Sequence, residues 1–302
     1  MTRRTALSLA ALPMMAAPPA PRWPVSIFSK HLHWLPIGEA AVFAKQLGFE
    51  AIDLTVRKGG HVEPEQVETG LPAAAEAIRK AGLEITMITT AIGGISVPQT
   101  PAIFKTMRAL GIKYYRWGGI KYVEKSSVKE QIATLRPMVR TLAEKSAEQG
   151  VCGIYHTHSG LGEFGASIWD ILAVVDGLDP AAIGINYDIG HATVEGGFGG
   201  WVNSFRAAGP YVRGVALKDF KWEKNAKGQW RPEWCPLGDG MVDWASFAKR
   251  LQGTTFNGPL QLHYEYELGG AEHGDRQVTW AADRIANSMR RDLERVRGYL
   301  AA

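Results

Sequence analysis

One short pattern recurs along this chain: an amphipathic helical stretch closes on a glycine, and an apolar, β-rich run starts directly after it. Lys80-Ala-Gly-Leu-Glu-Ile and Ala109-Leu-Gly-Ile-Lys-Tyr carry it most plainly, and Gly48, Gly82, Gly111 and Gly150 stand at the joints. Glycine is favoured there because the residue that ends a helix often takes a positive φ that strains other side chains. Strands alternating with helices in this way lie parallel, since each helix carries the chain back to the same end of the sheet. The strand-like runs are Val25 to Ser29, Ala51 to Thr55, Glu84 to Thr90, Lys113 to Trp117, Val151 to Thr157, Ile183 to Ile189, Val212 to Asp219 and Leu260 to Glu265. Helices are expected from near Pro36, Pro64 or Leu71, Thr100, Ser127, Ala166, Gly200 and Asp243, with a long last one from about Asp275 to the end. Eight repeats of one grammar favour an α/β fold of the single, closed (β/α)8 TIM-barrel type over an open doubly wound sheet, whose common forms have about five or six strands. No Gly-x-Gly-x-x-Gly or Walker sequence follows the first strand, so a nucleotide phosphate has no cradle here.

The chain divides at about residue 25. With 302 residues, 46% of them hydrophobic, residues 25–302 have ample material for one barrel with an insertion at about 220–242. Residues 1–24 read as an export signal or a disordered N-terminus. Thr2-Arg3-Arg4-Thr5 precedes an apolar stretch from Ala6 to Ala17 and then Pro18 and Pro19, which resembles a twin-arginine signal and implies a periplasmic or secreted protein. That stretch is too short to span a bilayer, which takes ~20 apolar residues, and no stable membrane span is expected later in the chain. The net charge of +4 is small and scattered, so nucleic acid is not an expected partner. Cys152 begins one strand and Cys235 lies in a loop past another, at opposite faces of a barrel, so both are expected to be free.

Polar residues collect at the C-terminal ends of the last four strands, the face on which barrels of this kind build active sites. The segments are Gly153-Ile-Tyr-His-Thr-His158, Ile185-Asn-Tyr-Asp-Ile-Gly-His191, Val212-Arg-Gly-Val-Ala-Leu-Lys-Asp219 and Leu260-Gln-Leu-His-Tyr-Glu265. Strand alternation groups Cys152, Ile154, His156 and His158; Asn186 and Asp188; Ala216 and Lys218; and Gln261, His263 and Glu265. If these sets face inward, they meet in one water-exposed pocket. A lone strand histidine is more often a hydrogen-bonded core residue, but six converging polar groups are hard to keep buried without a ligand. His and carboxylate together suit a Zn, Mn or Fe dication, and the same groups without metal suit acid and base chemistry on a sugar. Lys218 could be an acid or electrophilic group, or the partner of Asp219. Lys30 follows the first strand, His61 the second and Arg116 closes the fourth, so all three could reach this face and hold hydroxyls or an anionic group, with a solvated surface position the other reading for His61. Trp117, Trp222, Trp230 and Trp234 fall at the rim, where rings can stack on sugar faces. Lys221 to Arg231 reads as a small hairpin turning near Lys227-Gly228, a lid or a decoration of the same face.

Leu47-Gly-Phe-Glu-Ala-Ile-Asp-Leu54, Tyr155-His-Thr-His-Ser-Gly160, Tyr187-Asp-Ile-Gly-His191, Ala216-Leu-Lys-Asp219 and Pro236-Leu-Gly-Asp-Gly-Met-Val-Asp243 resemble the xylose-isomerase-like TIM barrels of the sugar phosphate isomerase/epimerase group, from Val25 to the C-terminus. The resemblance implies a divalent ion held by Glu, Asp, His and Glu from the last four strands. Asp188 fits the Asp and His191 the nearby substrate-contacting histidine. His156 stands where the first Glu is expected, Ala216 where the His is, and His263 where the last Glu is, unless Glu265 takes that place. Two alternatives follow: an ion held by His156, Asp188 and His263, or a metal-free site. The activity implied is isomerisation or epimerisation of a free sugar, keto-sugar or glycoside. Glu265 and Lys218 would move the proton, and His158, His191, Arg116, Lys30 and Trp117 would hold the small-molecule carbohydrate. A lyase acting on keto-glycosides and a sugar-binding barrel without chemistry are the alternatives. Phosphodiester cleavage, as in the related apurinic endonucleases, would need more metal ligands and a basic groove.

Overall fold

The computed structural model describes residues 23–301. The export signal expected over 1–24 lies outside the described residues except for Trp23 and Pro24. Trp23 is buried and donates its indole N–H to the carbonyl of Phe256 at 2.9 Å, so it already belongs to the packed fold.

In chain order the elements are β1 (Val25–Phe28), α1 (Ile37–Leu47), β2 (Ala51–Val56), α2 (Val67–Lys80), β3 (Glu84–Ile92), α3 (Thr100–Leu110), β4 (Tyr114–Trp117), α4 (Val128–Gln149), β5 (Cys152–His156), α5 (Ile168–Val175), β6 (Ile183–Asp188), α6 (Ile189–Gly196), α7 (Gly200–Ala208), β7 (Val212–Leu217), β8 (Asp219–Lys224), β9 (Trp230–Cys235), α8 (Trp244–Gln252), β10 (Leu260–Leu262) and α9 (Ala282–Ala301). Eight strands close into a parallel barrel in the order β1-β10-β7-β6-β5-β4-β3-β2, and β8 pairs with β9 as a separate antiparallel hairpin. This is a single (β/α)8 TIM barrel, as the repeating grammar predicts. Gly111 and Gly150 end α3 and α4 with φ of 71° and 68°, the positive values for which the pattern selects glycine.

The strands carry two kinds of packing. Outward residues such as Tyr115, Trp117, Tyr155 and Tyr187 join the large core between barrel and helices. Inward residues Met87, Tyr114, Cys152 and Ile154 form a small apolar plug, with the polar residues of the same alternation following it along each strand. Both cysteines are buried and free, and Cys235 ends β9 rather than lying in a loop.

Three boundaries depart from expectation. α9 starts at Ala282, not near Asp275, because the chain after β10 runs through turns and irregular segments first. β10 pairs over only three residues, so Glu265 projects from the loop beyond it. Helix α6 follows β6 without a linker: the Asp188 carboxylate accepts from the backbone N–H of His191 at 2.9 Å and caps the new helix. One carboxylate thus ends a strand, starts a helix and faces the barrel mouth.

Asp219 is the other hinge of this face. It does not pair with Lys218. Its carboxylate accepts from the backbone N–H groups of Phe220, Gly238, Gly240 and Val242 and from the indole of Trp244, at 2.8 to 3.3 Å. A Cβ on Gly240 would lie 2.1 Å from Asp219 Oδ1, so the loop closes that tightly only around glycine. Asp219→Ala leaves these donors without their acceptor and is expected to lower stability by about 3 kcal/mol. The β8–β9 hairpin should then become sensitive to limited proteolysis. A wild-type urea midpoint with an intact hairpin would contradict this role.

Candidate active site

The polar strand ends meet around a cavity of about 310 Å³ at the C-terminal mouth of the barrel. Its wall includes Lys30, Arg57, Arg116, His156, His158, His191, Lys218, Trp234, His263 and Glu265. Asp188 lies among them, fully buried. The pocket is more closed than the sequence suggests: His156, His263 and Lys218 are each under 5% exposed.

Hydrogen bonds define the chemical state of each ring. The Gln261 amide donates to the carbonyl of Pro259 at 3.0 Å, which turns its oxygen to accept from Asn186 Nδ2 at 2.7 Å. The other hydrogen of Asn186 Nδ2 points to His156 Nδ1 at 3.1 Å. Nδ1 is therefore an acceptor, and the proton of this neutral ring sits on Nε2, 3.2 Å from Asp188 Oδ2. Lys218 Nζ donates to His191 Nε2 at 2.7 Å, so His191 carries its proton on Nδ1, directed at Ser159 Oγ 2.7 Å away. Arg116 donates to His158 Nε2 at 3.3 Å. Burial pushes His156, His191 and His263 well below the ordinary histidine range, and burial followed by Arg116 takes His158 down to about 3. All four are neutral at physiological pH.

Glu265 joins the two lysines at the mouth, with Lys30 Nζ at 3.4 Å and Lys218 Nζ at 3.9 Å from its Oε1. Burial works to raise this carboxyl, but Lys218 and Lys30 together outweigh burial and hold it below the usual range. It is an ionised base at neutral pH. Lys218 also lies 3.3 Å from Asp188 Oδ2 and 4.5 Å from the centre of the Trp234 ring. His263 stacks between Phe28 and His156, at 4.7 and 5.2 Å between ring centres.

Of the residues expected to form the site, His156, His158, Asp188, His191, Lys218, His263, Glu265, Arg116 and Lys30 converge here. Trp117 does not, which corrects its assignment as a sugar contact: it points outward from β4, packs edge-on against Tyr155 and is 1% exposed. His61 is also turned away, with its Nε2 against the carbonyl of Leu35. Of the rim tryptophans, Trp234 lines the cavity, while Trp222 and Trp230 are exposed on the hairpin. The sequence reading passes over Arg57, although Asp53, Thr55 and Arg57 alternate at the end of β2 and that spacing was the available signal.

On distance alone, His156, Asp188 and His263 could hold a divalent ion, since they offer atoms within 4.8 Å of one another. Asp188 Oδ2 and His263 Nε2 are buried without an aligned hydrogen-bond partner, which also invites a ligand. The remaining donors do not fit an ion. The proton on His156 Nε2 covers the lone pair that faces Asp188, while His158 and His191 spend their Nε2 lone pairs on Arg116 and Lys218. Ala216, in register with Asp188, offers no ligand atom, and the Lys218 ammonium already stands beside the one carboxylate. A dication would meet two free ligand atoms and a like charge at contact distance.

The fold is shared with solved structures. A 3-keto-D-glucoside 4-epimerase from E. coli matches with TM-score 0.66 at 14% identity, over 91% of this chain and 99% of the other. A D-allulose 3-epimerase from Methylomonas matches with TM-score 0.63 at 16% identity, over 92% and 99%. A xylose isomerase-like TIM barrel protein from Mycobacterium smegmatis, solved in complex with magnesium, matches with TM-score 0.61 at 15% identity, over 92% and 98%. No curated protein matches the sequence. The profile of the xylose isomerase-like TIM barrel covers residues 42–288, so the chain belongs to that family.

Proposed function

We propose that this protein is an isomerase or epimerase of a keto-sugar or glycoside, and that it moves a proton beside a carbonyl without a metal ion. The observation that carries the reading is the ionised Glu265 facing the cavity between Lys30 and Lys218. A carboxylate so placed can take the proton from the carbon next to a substrate carbonyl. Charge then develops on the carbonyl oxygen, and a cation in a closed site stabilises it there. Lys218 supplies that cation, the Nδ1–H of His158 can donate to a sugar hydroxyl, and Trp234 offers a ring face, while His191, engaged by Lys218 and Ser159 on its two nitrogens, holds Lys218 in place. The epimerases among the structural relatives agree with this reading, as does family membership. Elimination from a keto-glycoside would begin with the same proton removal, so a lyase product is a variant of the same chemistry. Export through the Arg3-Arg4 segment, and with it a periplasmic or secreted location, is part of the proposal.

The test is exchange of substrate C–H for deuterium in heavy water across a panel of keto-sugars, with affinity measured alongside. Glu265→Gln should bind the sugar and lose exchange by about a thousandfold. Affinity without exchange in the wild-type protein would reduce it to a sugar-binding barrel, and undiminished exchange in Glu265→Gln would exclude Glu265 as the base.

A further inference from the structure

The cavity wall is electrically lopsided. Lys30, Arg57, Arg116 and Lys218 all line it, against one carboxylate, Glu265. Asp188 is buried beneath and answers Lys218 at 3.3 Å, and Glu265 is shared between the two lysines. The two guanidinium groups are left over. Among the described residues neither has a carboxylate within ion-pair distance: Arg116 donates to a neutral histidine, and Arg57 lies over the Phe28 ring at 5.6 Å. Asp53 is near both, but its carboxylate is occupied by the Thr89 hydroxyl at 2.9 and 3.0 Å. Burial pushes the Asp53 carboxyl up to about 7, so it supplies only part of a countercharge. Burial, and then Arg57, lowers Arg116, the mark of like charges held close together.

Half-buried guanidinium groups that face a cavity and lack a partner carboxylate are costly to keep unless a ligand anion completes them. Their planar forks suit the paired oxygens of a carboxylate or a phosphate. The barrel order also separates two tasks. Arg57 follows β2 and Arg116 ends β4, while Lys218 and Glu265 follow β7 and β10, three and four strands from β4 and three and two from β2 around the closed barrel. We propose that the sugar taken by this site is anionic, with its carboxylate or phosphate seated between Arg57 and Arg116 and its reacting carbon held near Lys218 and Glu265. This rests on the carbohydrate reading above and narrows its substrate class.

Calorimetric titration tests it without requiring turnover. The ligands are a hexuronate, a hexose phosphate, the neutral hexulose, and inorganic phosphate or acetate as sugar-free anions. The expected result is at least tenfold tighter binding of one acidic sugar than of the neutral one. That advantage should shrink as salt rises and fall towards one in Arg57→Gln and in Arg116→Gln. Which acidic sugar wins identifies the anion as carboxylate or phosphate. Equal affinity for neutral and acidic sugars, or a preference that both variants and high salt leave intact, overturns the proposal while the carbohydrate reading stands. Sugar-free anions binding as tightly as the acidic sugars would instead keep the anion seat and remove the carbohydrate reading, and binding of none of them would overturn both.

Discussion

Acidification from about pH 7.5 to about pH 5.5 is expected to cost this fold several kcal/mol, a large share of the roughly 5–15 kcal/mol that holds a domain together. The cause is its buried imidazoles. His31, His33, His156, His191 and His263 are all under 9% exposed, and burial holds each below its ordinary range, His33 at about 3. A histidine depressed in the folded state lends stability above its unfolded value of about 6.5, and that stability drains away as pH falls towards the folded value. At about pH 5.5 the unfolded chain gains roughly 1 kcal/mol from protonating each such ring, so the five together cost the fold several kcal/mol. Asp53 acts in the opposite sense. Its carboxyl is raised by burial to about 7, so the fold gains about 2 kcal/mol as pH drops over the same range. Urea midpoints followed across this range should fall steeply, and Asp53→Asn should make the fall steeper still. A flat stability profile would mean that the histidines accept protons in place, and the neutral network described for the site would be wrong.

The barrel was legible because it is written in repetition. Strand-like runs recur in all eight units and helix-ending glycines at four of their joints, and the alternation of each strand separates residues facing the helices from those facing the barrel interior. Parity could also have corrected one error. Arg116 and Trp117 are adjacent on β4, so both cannot face the cavity, and the polar neighbour is the one that does. The late start of α9 and the short β10 were hidden because Leu260 to Glu265 is continuously strand-like, whereas pairing stops where β7 gives way to the hairpin. The site was legible as a set of residue types but not as a chemical state. That state depends on Asn186 and Gln261 meeting across the barrel, 75 positions apart in sequence, and on Lys218 reaching His191 instead of Asp219. Sequence spacing marks which residues arrive at the mouth, while their hydrogen bonds determine which lone pairs are left for a ligand.

Removing the Lys218 ammonium should affect function as strongly as removing the Glu265 carboxylate. Lys218→Met is expected to lower turnover by about a thousandfold, with a smaller change in sugar affinity, because the cation matters most once charge has built up on the substrate oxygen. The wild-type protein should carry less than about a tenth of an equivalent of Zn, Mn or Fe, and prolonged chelation should leave its activity unchanged. These two results belong together physically. Lys218 stands 3.3 Å from Asp188 Oδ2 and spends a hydrogen bond on His191, so the place beside the one carboxylate is already filled by a positive charge. The inverse experiment separates this view from a site that has merely lost its metal. Ala216 is buried in register with Asp188, and Ala216→His combined with Lys218→Ala adds a ligand there while withdrawing the competing charge. That double variant should gain zinc affinity by at least about tenfold over the wild type, read by metal titration independently of any turnover. Tight stoichiometric metal in the wild-type protein, with activity lost on chelation and restored on adding the ion back, would instead make Lys218 an accessory to a metal centre built on His156, Asp188 and His263.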